Sequence, residues 1–263
     1  MIRALYTAAT GMLAQQLNLD NIANNLANSS TAGFRSRRLQ FQDLIYQNVV
    51  VPGAAATQQT TLPAGLQIGL GVRPASSEFI QTQGDFDSTS NPLDLAIQGP
   101  GYFQVTLPSG DLAYTRDGAF HVDQNGTVVD AQGDPLTPNI TIPTNALTIT
   151  VGTDGTVSVT LPAQTQAQQV GSIQLATFPN SDGLIGNGQS LLQPTQASGD
   201  AILGTPGGSD GLGSIQQGYL EESNVNVVTE FVNMILAQRS YEASSRVIRA
   251  ADEMYQTVNG LTQ

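Results

Sequence analysis

The sequence contains no cysteine, no tryptophan and no lysine, and its only histidine is His121. Without cysteine there is no disulfide framework, no thiol redox site and no thiolate metal site. A serine triad would have to use His121, but the glycine pattern of a nucleophile elbow is absent. A P-loop, a dinucleotide-binding glycine fingerprint and histidines at metal-ligand spacing are absent too. We therefore expect a protein that is not an enzyme and that has no cofactor and no metal.

Acidic residues are the one class that remains as a candidate for chemistry. The run Asp123–Asp130 partly resembles a calcium loop, yet Val128 stands where that loop needs glycine and its last position holds no glutamate. We interpret it as a turn. Acid pairs such as Asp85 and Asp87 are compatible with glycoside hydrolysis, but the acids are too scattered to make that signal specific.

Positive charge is scarce and unevenly placed. The chain has a formal net charge of −12, and all nine of its cations are arginines. Residues 78–222 hold fifteen acids against one base, Arg116, whereas residues 1–77 carry +3 and residues 223–263 carry −1. A chain this acidic opposes phosphate binding, so no nucleic-acid partner is expected. The middle is predicted to be a solvated body and the two ends a different kind of structure.

Long apolar runs are also missing. No stretch approaches the roughly 20 apolar residues of a membrane span, so the protein is predicted not to cross a membrane. The apolar stretch at the N-terminus is interrupted by Tyr6, Thr7 and Thr10. We expect no cleaved signal peptide there.

The C-terminal segment is the clearest element of the sequence. Residues 223–263 contain no proline and no glycine before Gly260, and they begin with residues that cap helices, which predicts one long helix. Its apolar residues lie on two faces about 140° apart, and such a helix needs two partner surfaces. One partner can come from the same chain, and the second suggests other copies. The first face carries Val227, Phe231, Met234, Tyr241, Ile248 and Tyr255, and the second carries Leu236, Ala243, Val247, Ala250 and Met254.

Residues 2–28 show a seven-residue apolar repeat similar to that of the C-terminal helix. Leu5, Met12, Leu19 and Leu26 recur every seven residues, with a second series offset by three or four, which predicts a coiled-coil seam. The same segment is rich in asparagine, which costs about half a kcal/mol relative to alanine inside a helix. These amides either form a solvent face or make hydrogen bonds that fix register across helix–helix contacts. The ridge consists of Asn18, Asn21, Asn24, Asn25 and Asn28.

Both ends of the chain carry the motifs of a known family. The N-terminal runs are LDNIANNLAN at residues 19–28 and TAGFR at residues 31–35, and the C-terminal runs are ESNVN at residues 222–226 and QRSYEA at residues 238–243. Together they resemble the terminal signatures of bacterial flagellar rod and hook proteins. Further matches in the middle extend the resemblance over essentially the whole chain, at residues 91–97, 99–103 and 116–120.

The resemblance implies a structural subunit that polymerises into a rigid helical tube and transmits motor torque to the hook. Both termini would form an inner coiled-coil layer, with the middle segment projecting outward. The implied partners are other copies of the chain, proximal rod proteins, the hook protein, the surrounding rings of the peptidoglycan layer and outer membrane, and the flagellar export apparatus. The implied location is the basal body, spanning the periplasm towards the outer membrane.

Residues 31–77 are predicted to form an extended arm. The stretch 47–74 is similar to the segment that distinguishes distal rod proteins from hook proteins, and the resemblance implies that it packs between neighbouring subunits. From the residues alone, a linker and a binding loop remain open. The residues assigned to this contact are Leu62, Pro63, Leu66, Ile68, Val72 and Arg73.

Residues 78–222 show the signals of an acidic, antiparallel β domain. Residues 102–107 and 112–115 flank a Pro-Ser-Gly-Asp turn, and Asn125-Gly126 marks a second hairpin. Strands are also expected at residues 147–151, 157–161 and 173–178, and a loop at residues 194–213.

The sequence thus predicts an α+β fold in which long terminal helices (1–30 with 223–263) form a coiled-coil pair, joined by the arm to the β domain (78–222). The function that we expect is that of a distal-rod subunit. The alternatives are a proximal rod or hook protein, a secreted enzyme acting on cell-wall glycan, and a monomeric binding module whose terminal helices pair only with each other.

Overall fold

The computed structural model describes residues 2–53, 63–162, 166–208 and 211–260. It contains two long helices, α1 (Ile2–Ala27) and α2 (Val227–Gly260), at the positions that the sequence predicted. The Oδ1 atom of Asn226 accepts a hydrogen bond from the amide of Thr229 at 3.0 Å and so caps the first turn of α2. Between the helices the chain is almost entirely β structure, which confirms the α+β class.

The chain folds as two compact units, each assembled from separated segments. Unit 1 comprises Met1–Ala27, Arg37–Glu78 and Asn226–Gln263. Unit 2 comprises Asn28–Ser36 and Phe79–Val225. Residues 37–78 thus group with the helices, whereas the sequence had set residues 31–77 apart as an arm.

Unit 1 adds two β-ribbons to the helices. Its strands are β1 (Arg37–Asp43), β2 (Tyr46–Val50), β3 (Leu66–Gly69) and β4 (Val72–Phe79). β1 pairs with β4, and β2 pairs with β3 in an antiparallel register that places Tyr46 opposite Gly69. The predicted arm therefore has secondary structure of its own. Periodicity did not reveal β2 and β3, because nearly all of their residues are exposed and no buried apolar alternation is present.

Unit 2 is built around a seven-stranded antiparallel sheet in the order β16-β17-β8-β7-β15-β18, with β11 also pairing with β7. These strands are β7 (Tyr102–Thr106), β8 (Leu112–Thr115), β11 (Leu136–Thr137), β15 (Leu175–Thr177), β16 (Ile185–Gly188), β17 (Leu191–Gln193) and β18 (Ile202–Gly204). A second sheet has the order β12-β13-β14, formed by Thr148–Val151, Thr156–Thr160 and Gln168–Ser172.

Three two-stranded ribbons complete unit 2. They are β5 (Phe86–Ser88) with β20 (Tyr219–Glu221), β6 (Leu95–Gln98) with β19 (Ser214–Gln217), and β9 (His121–Val122) with β10 (Val128–Val129). The predicted hairpins at residues 102–115 and around Asn125-Gly126 are confirmed by β7–β8 and β9–β10. The loop expected at residues 194–213 instead contains β18, which is too short for a side-chain pattern to reveal.

The main core of unit 2 is apolar and aromatic. Phe103 and Phe120 meet edge to face with their ring centroids 5.1 Å apart. Strand alternation sends Phe103 and Val105 into this core, while Tyr102 joins a smaller cluster with Tyr114 and Phe178. Both faces of β7 are therefore covered.

Candidate interaction surfaces

In unit 1 the two helices pack against each other and run antiparallel. Burial raises the pKa of Glu230, near the start of α2, and a hydrogen bond from the Asn25 side chain, near the end of α1, opposes that rise. Further along, a Cβ added to Gly11 of α1 would lie 3.6 Å from the Ser244 Oγ of α2. Fourteen residues separate the two contacts on each helix, so the register holds over about 20 Å.

The face of α2 that meets α1 follows a three–four spacing through positions 230, 234, 237, 241, 244, 248, 251 and 255. Ala237 and Ala251 are buried on it, and the other members are half-buried apart from Tyr241. Of the residues predicted for the first face, Met234, Ile248 and Tyr255 are half-buried here, whereas Val227 and Phe231 are exposed at the start of the helix. One predicted face of α2 is thus occupied within the same chain.

On α1 the most buried side chains are not the leucines of the predicted seam. Ala8, Ile22 and Asn25 are buried, while Leu5, Met12, Leu19 and Leu26 are only half-buried. The helices pair, but whether they supercoil as a coiled coil stays a prediction.

Two of the predicted asparagines bind the chain that follows α1. Asn21 and Asn25 each donate an Nδ2 hydrogen bond to the carbonyl of Arg37, at 2.7 and 2.9 Å, and the Arg37 amide donates to Asn25 Oδ1 at 3.0 Å. Asn25 thereby satisfies both backbone groups of the first residue of β1. Asn28 lies beyond the helix and accepts from Thr31 Oγ1, and Asn24 is exposed. These amides fix the position of β1 on α1.

The second predicted face of α2 lies open to solvent. Leu236, Val247 and Met254 are 57%, 49% and 50% exposed, and the alanines between them, Ala243 and Ala250, are exposed as well. On α1, Tyr6 and Leu13 are also exposed, one heptad apart. Continuous exposed apolar stripes of this kind mark interaction sites.

The β2–β3 ribbon carries a third apolar surface. Leu66 and Ile68 on β3 are exposed, together with Ile45, Tyr46, Val49 and Val51 around β2. A two-stranded ribbon with exposed apolar side chains is marginal in water by itself. This surface includes two of the six predicted arm residues.

The other arm residues are placed differently. Pro63 is exposed, and Arg73 is exposed with its Nη2 donating to Gln42 Oε1. Val72 is half-buried, and its amide donates to Thr10 Oγ1 of α1 at 3.4 Å. Leu62 falls outside the described residues.

Unit 2 contains a buried ionic triad. Glu221, 1% exposed, pairs with Arg35 at 2.6 Å and with Arg116 at 2.7 Å, and both arginines are also buried. Arg116 uses its remaining N–H groups on the carbonyls of Ile97, Gly99 and Gly101. Burial lowers the pKa of Arg116, and the charge of Glu221 opposes that change.

The triad joins segments that are distant in sequence. The Gly84 amide also donates to Glu221, and the Gly33 amide donates to the Glu221 carbonyl at 2.8 Å. Our reading of the sequence had not identified this cluster. Its one signal was Arg116, the only base among the fifteen acids of residues 78–222.

No metal site is found among the described parts of the chain, since no group of three or more His, Cys, Asp or Glu side chains has suitable geometry. His121 is exposed on β9, and Asp123 forms a turn by accepting hydrogen bonds from the amides of Asn125 and Thr127. Within the same residues, neither helix is apolar enough over sufficient length to span a bilayer.

Three family models match successive parts of the chain. Residues 5–35 match the model described as flagella basal body rod protein, residues 96–159 the flagellar hook protein FlgE/F/G D1 domain, and residues 216–261 the flagellar basal body rod FlgEFG protein C-terminal model. These matches place the chain in the class of flagellar rod and hook proteins, the axial proteins of the flagellum.

Full-length relatives narrow the class to one family. Proteins called flagellar basal-body rod protein FlgG are 49% identical in Buchnera aphidicola (Schizaphis graminum), 47% in Caulobacter vibrioides and 39% in Bacillus subtilis. Each alignment covers 99% of this chain and 99% or more of the relative. The chain belongs to the FlgG family of flagellar basal-body rod proteins. This confirms the prediction of a structural subunit of the flagellar distal rod, not an enzyme.

Proposed function

We propose that the subunits polymerise through their terminal helices into a rigid helical rod that transmits motor torque to the hook. The observation that carries this proposal is the division of α2 between two faces. One face packs on α1 of the same chain, and the other presents Leu236, Val247 and Met254 to solvent. In a monomeric module this second apolar stripe would stay exposed to water, and exposing a contiguous apolar surface is unfavourable.

Copies of α1 and α2 would supply the main contacts, with the helices arranged as a coiled coil. A second copy cannot use the face that α1 already covers, so contacts between copies use the open stripe of α2 and the Tyr6–Leu13 side of α1. Head-to-tail contacts of this kind are heterologous, and they build an open helix when the rotation does not close.

The β2–β3 ribbon would strengthen the rod by packing its exposed apolar side chains between neighbouring subunits. The predicted contact residues Pro63, Leu66, Ile68, Val72 and Arg73 lie in or beside this ribbon. Burying Leu66 and Ile68 fully would contribute about 1.5–3 kcal/mol per side chain, less their present partial burial. Many such contacts along a rod resist bending.

The wider assignments follow from the family. The rod would meet proximal rod proteins at one end and the hook protein at the other, and turn inside rings in the peptidoglycan layer and outer membrane. It would therefore span the periplasm towards the outer membrane. Subunits would reach the growing end through the flagellar export apparatus.

A single charge on the open stripe tests the assembly. Val247→Asp should leave the thermal unfolding of the monomer nearly unchanged, because the side chain is half exposed, but should abolish rods in electron micrographs of basal bodies and abolish swimming. Gln238→Asp is the matched control, since it places the same residue at an exposed position of α2 off the stripe. Normal rods with Val247→Asp would contradict the proposal.

A further inference from the structure

A pocket of about 430 Å³ opens in unit 2 beside the ionic triad. Its lining includes Arg35, Gln81, Tyr102, Arg116, Phe178 and Ser181. It therefore combines two guanidinium groups, two aromatic rings and two uncharged polar side chains, Gln81 and Ser181. Such a mixture of apolar walls and a few fixed polar groups is typical of binding sites.

The charges at this pocket do not balance. Arg35 and Arg116 share one buried carboxylate, Glu221, which leaves one positive charge in excess. The acid to consider as a second counter-charge is Asp182, because burial raises the pKa of the pocket residue Tyr102 and the charge of Asp182 adds to that rise. Asp182 is exposed, however, and makes no ion pair with either arginine among the described contacts. Buried charge without a counter-charge is costly, so the site favours a further anion.

The two arginines differ in how many N–H groups they have left to bind an anion. Arg116 donates four of its five N–H groups, one to Glu221 and three to carbonyls, and its Nη2 also lies 2.7 Å from Glu221 Oε2. Arg35 donates one hydrogen bond, to the Thr82 carbonyl, and its Nη2 forms an ion pair with Glu221; no other acceptor of Arg35 occurs among the described residues. A guanidinium has five N–H donors, so Arg35 keeps donors for a ligand.

The distribution of charge over unit 2 indicates where that ligand comes from. Its residues include fourteen acids and two bases, and both bases lie at this pocket. Copies of so acidic a unit repel one another when they polymerise. A carboxylate of one copy seated beside Arg35 of the next would replace a repulsion with a charge-assisted hydrogen bond.

We propose that this pocket is a carboxylate receptor that takes an Asp or Glu side chain from unit 2 of a neighbouring copy. The identity of the occupant as a second copy rests on the proposed polymerisation. The chemistry of the pocket does not, because it is a property of the single chain.

The binding step is tested on the full-length monomer. Its ¹⁵N-labelled amides are followed by NMR during titration with sodium acetate, against sodium chloride at equal ionic strength. Acetate should produce saturable shifts at Gly84, Gly99 and Gly101 that chloride does not produce.

Gln81→Glu keeps the acceptor for the Tyr102 hydroxyl and adds a carboxylate at the pocket, so it should abolish the acetate shifts. The control Gln132→Glu adds the same charge at an exposed site outside the pocket lining. Equal effects of both salts, or of both variants, would overturn the receptor.

The source of the carboxylate is tested in assembled rods. A photo-crosslinking amino acid at position 81 should join two copies through a peptide that contains an acidic residue of unit 2, while one at position 247 reports helix contacts between copies. Copy-to-copy links at 247 but none at 81 would overturn the second-copy assignment and leave assembly intact. The absence of links at both positions would instead count against the proposed helix contacts between copies.

Discussion

Removing the charge of Glu221 should destabilise unit 2 strongly. Glu221→Gln keeps the shape of the side chain but leaves Arg35 and Arg116 buried without a carboxylate, and its new NH₂ group faces donors. Breaking a buried ion pair by removing one partner costs about 3–5 kcal/mol. Because glutamine keeps one acceptor oxygen, we expect about 3 kcal/mol. For a unit of about 150 residues this lowers the unfolding temperature by about 6–12 °C.

The assay is thermal unfolding of the full-length protein, followed by near-ultraviolet circular dichroism. Since the chain has no tryptophan, the signal comes largely from tyrosines, and Tyr102 and Tyr114 are buried in unit 2. The neighbouring exposed residue supplies the control, and Glu222→Gln should change stability by less than about 0.5 kcal/mol. A shift for Glu221→Gln as small as that of Glu222→Gln would refute the reasoning that the buried triad stabilises unit 2.

Two further changes test other parts of the structure. Asn25→Ala should cost about 1–3 kcal/mol, because the Arg37 amide loses its acceptor; hydrogen exchange at that amide should accelerate, whereas exposed Gln16→Ala should leave it unchanged. Burial raises the pKa of Asp117, with the charges of Asp130 and Asp94 adding to the rise. Its ionisation therefore opposes folding, so its effect on the unfolding free energy should become less favourable as pH rises from the ordinary aspartate value towards the raised one. Asp117→Asn should flatten this part of the stability–pH curve in urea titrations, and an unchanged curve would contradict the shift.

The periodicity of apolar residues predicted the helices and much of the β domain, because these elements are specified by residues that are close together in the sequence. The heptads of α2 and the Asn125-Gly126 turn each act within a few residues, so the sequence displays them directly. The asparagines of α1 were recognised as unusual, but their target, Arg37, lies outside the helix and is reached only through the fold.

The triad could not be predicted, for a related reason. Arg35, Arg116 and Glu221 are more than eighty residues apart from one another, and no spacing rule links them. Strands β2, β3 and β4 were missed because most of their residues are exposed, so no buried alternation of apolar residues marks them. Local propensity predicts elements, whereas long-range charge pairing depends on topology.

The strand order of unit 2 also governs when it can fold. β5 and β6 pair with β20 and β19, more than one hundred residues downstream, and Glu221 completes the triad from the end of β20. During synthesis, which begins at the N-terminus, unit 2 cannot complete these strand pairs until β19 and β20 have been made. Closing so long a loop is entropically costly and slow. A subunit cut short before residue 214 would therefore leave β5 and β6 without their partner strands and would leave Arg35 and Arg116 without Glu221.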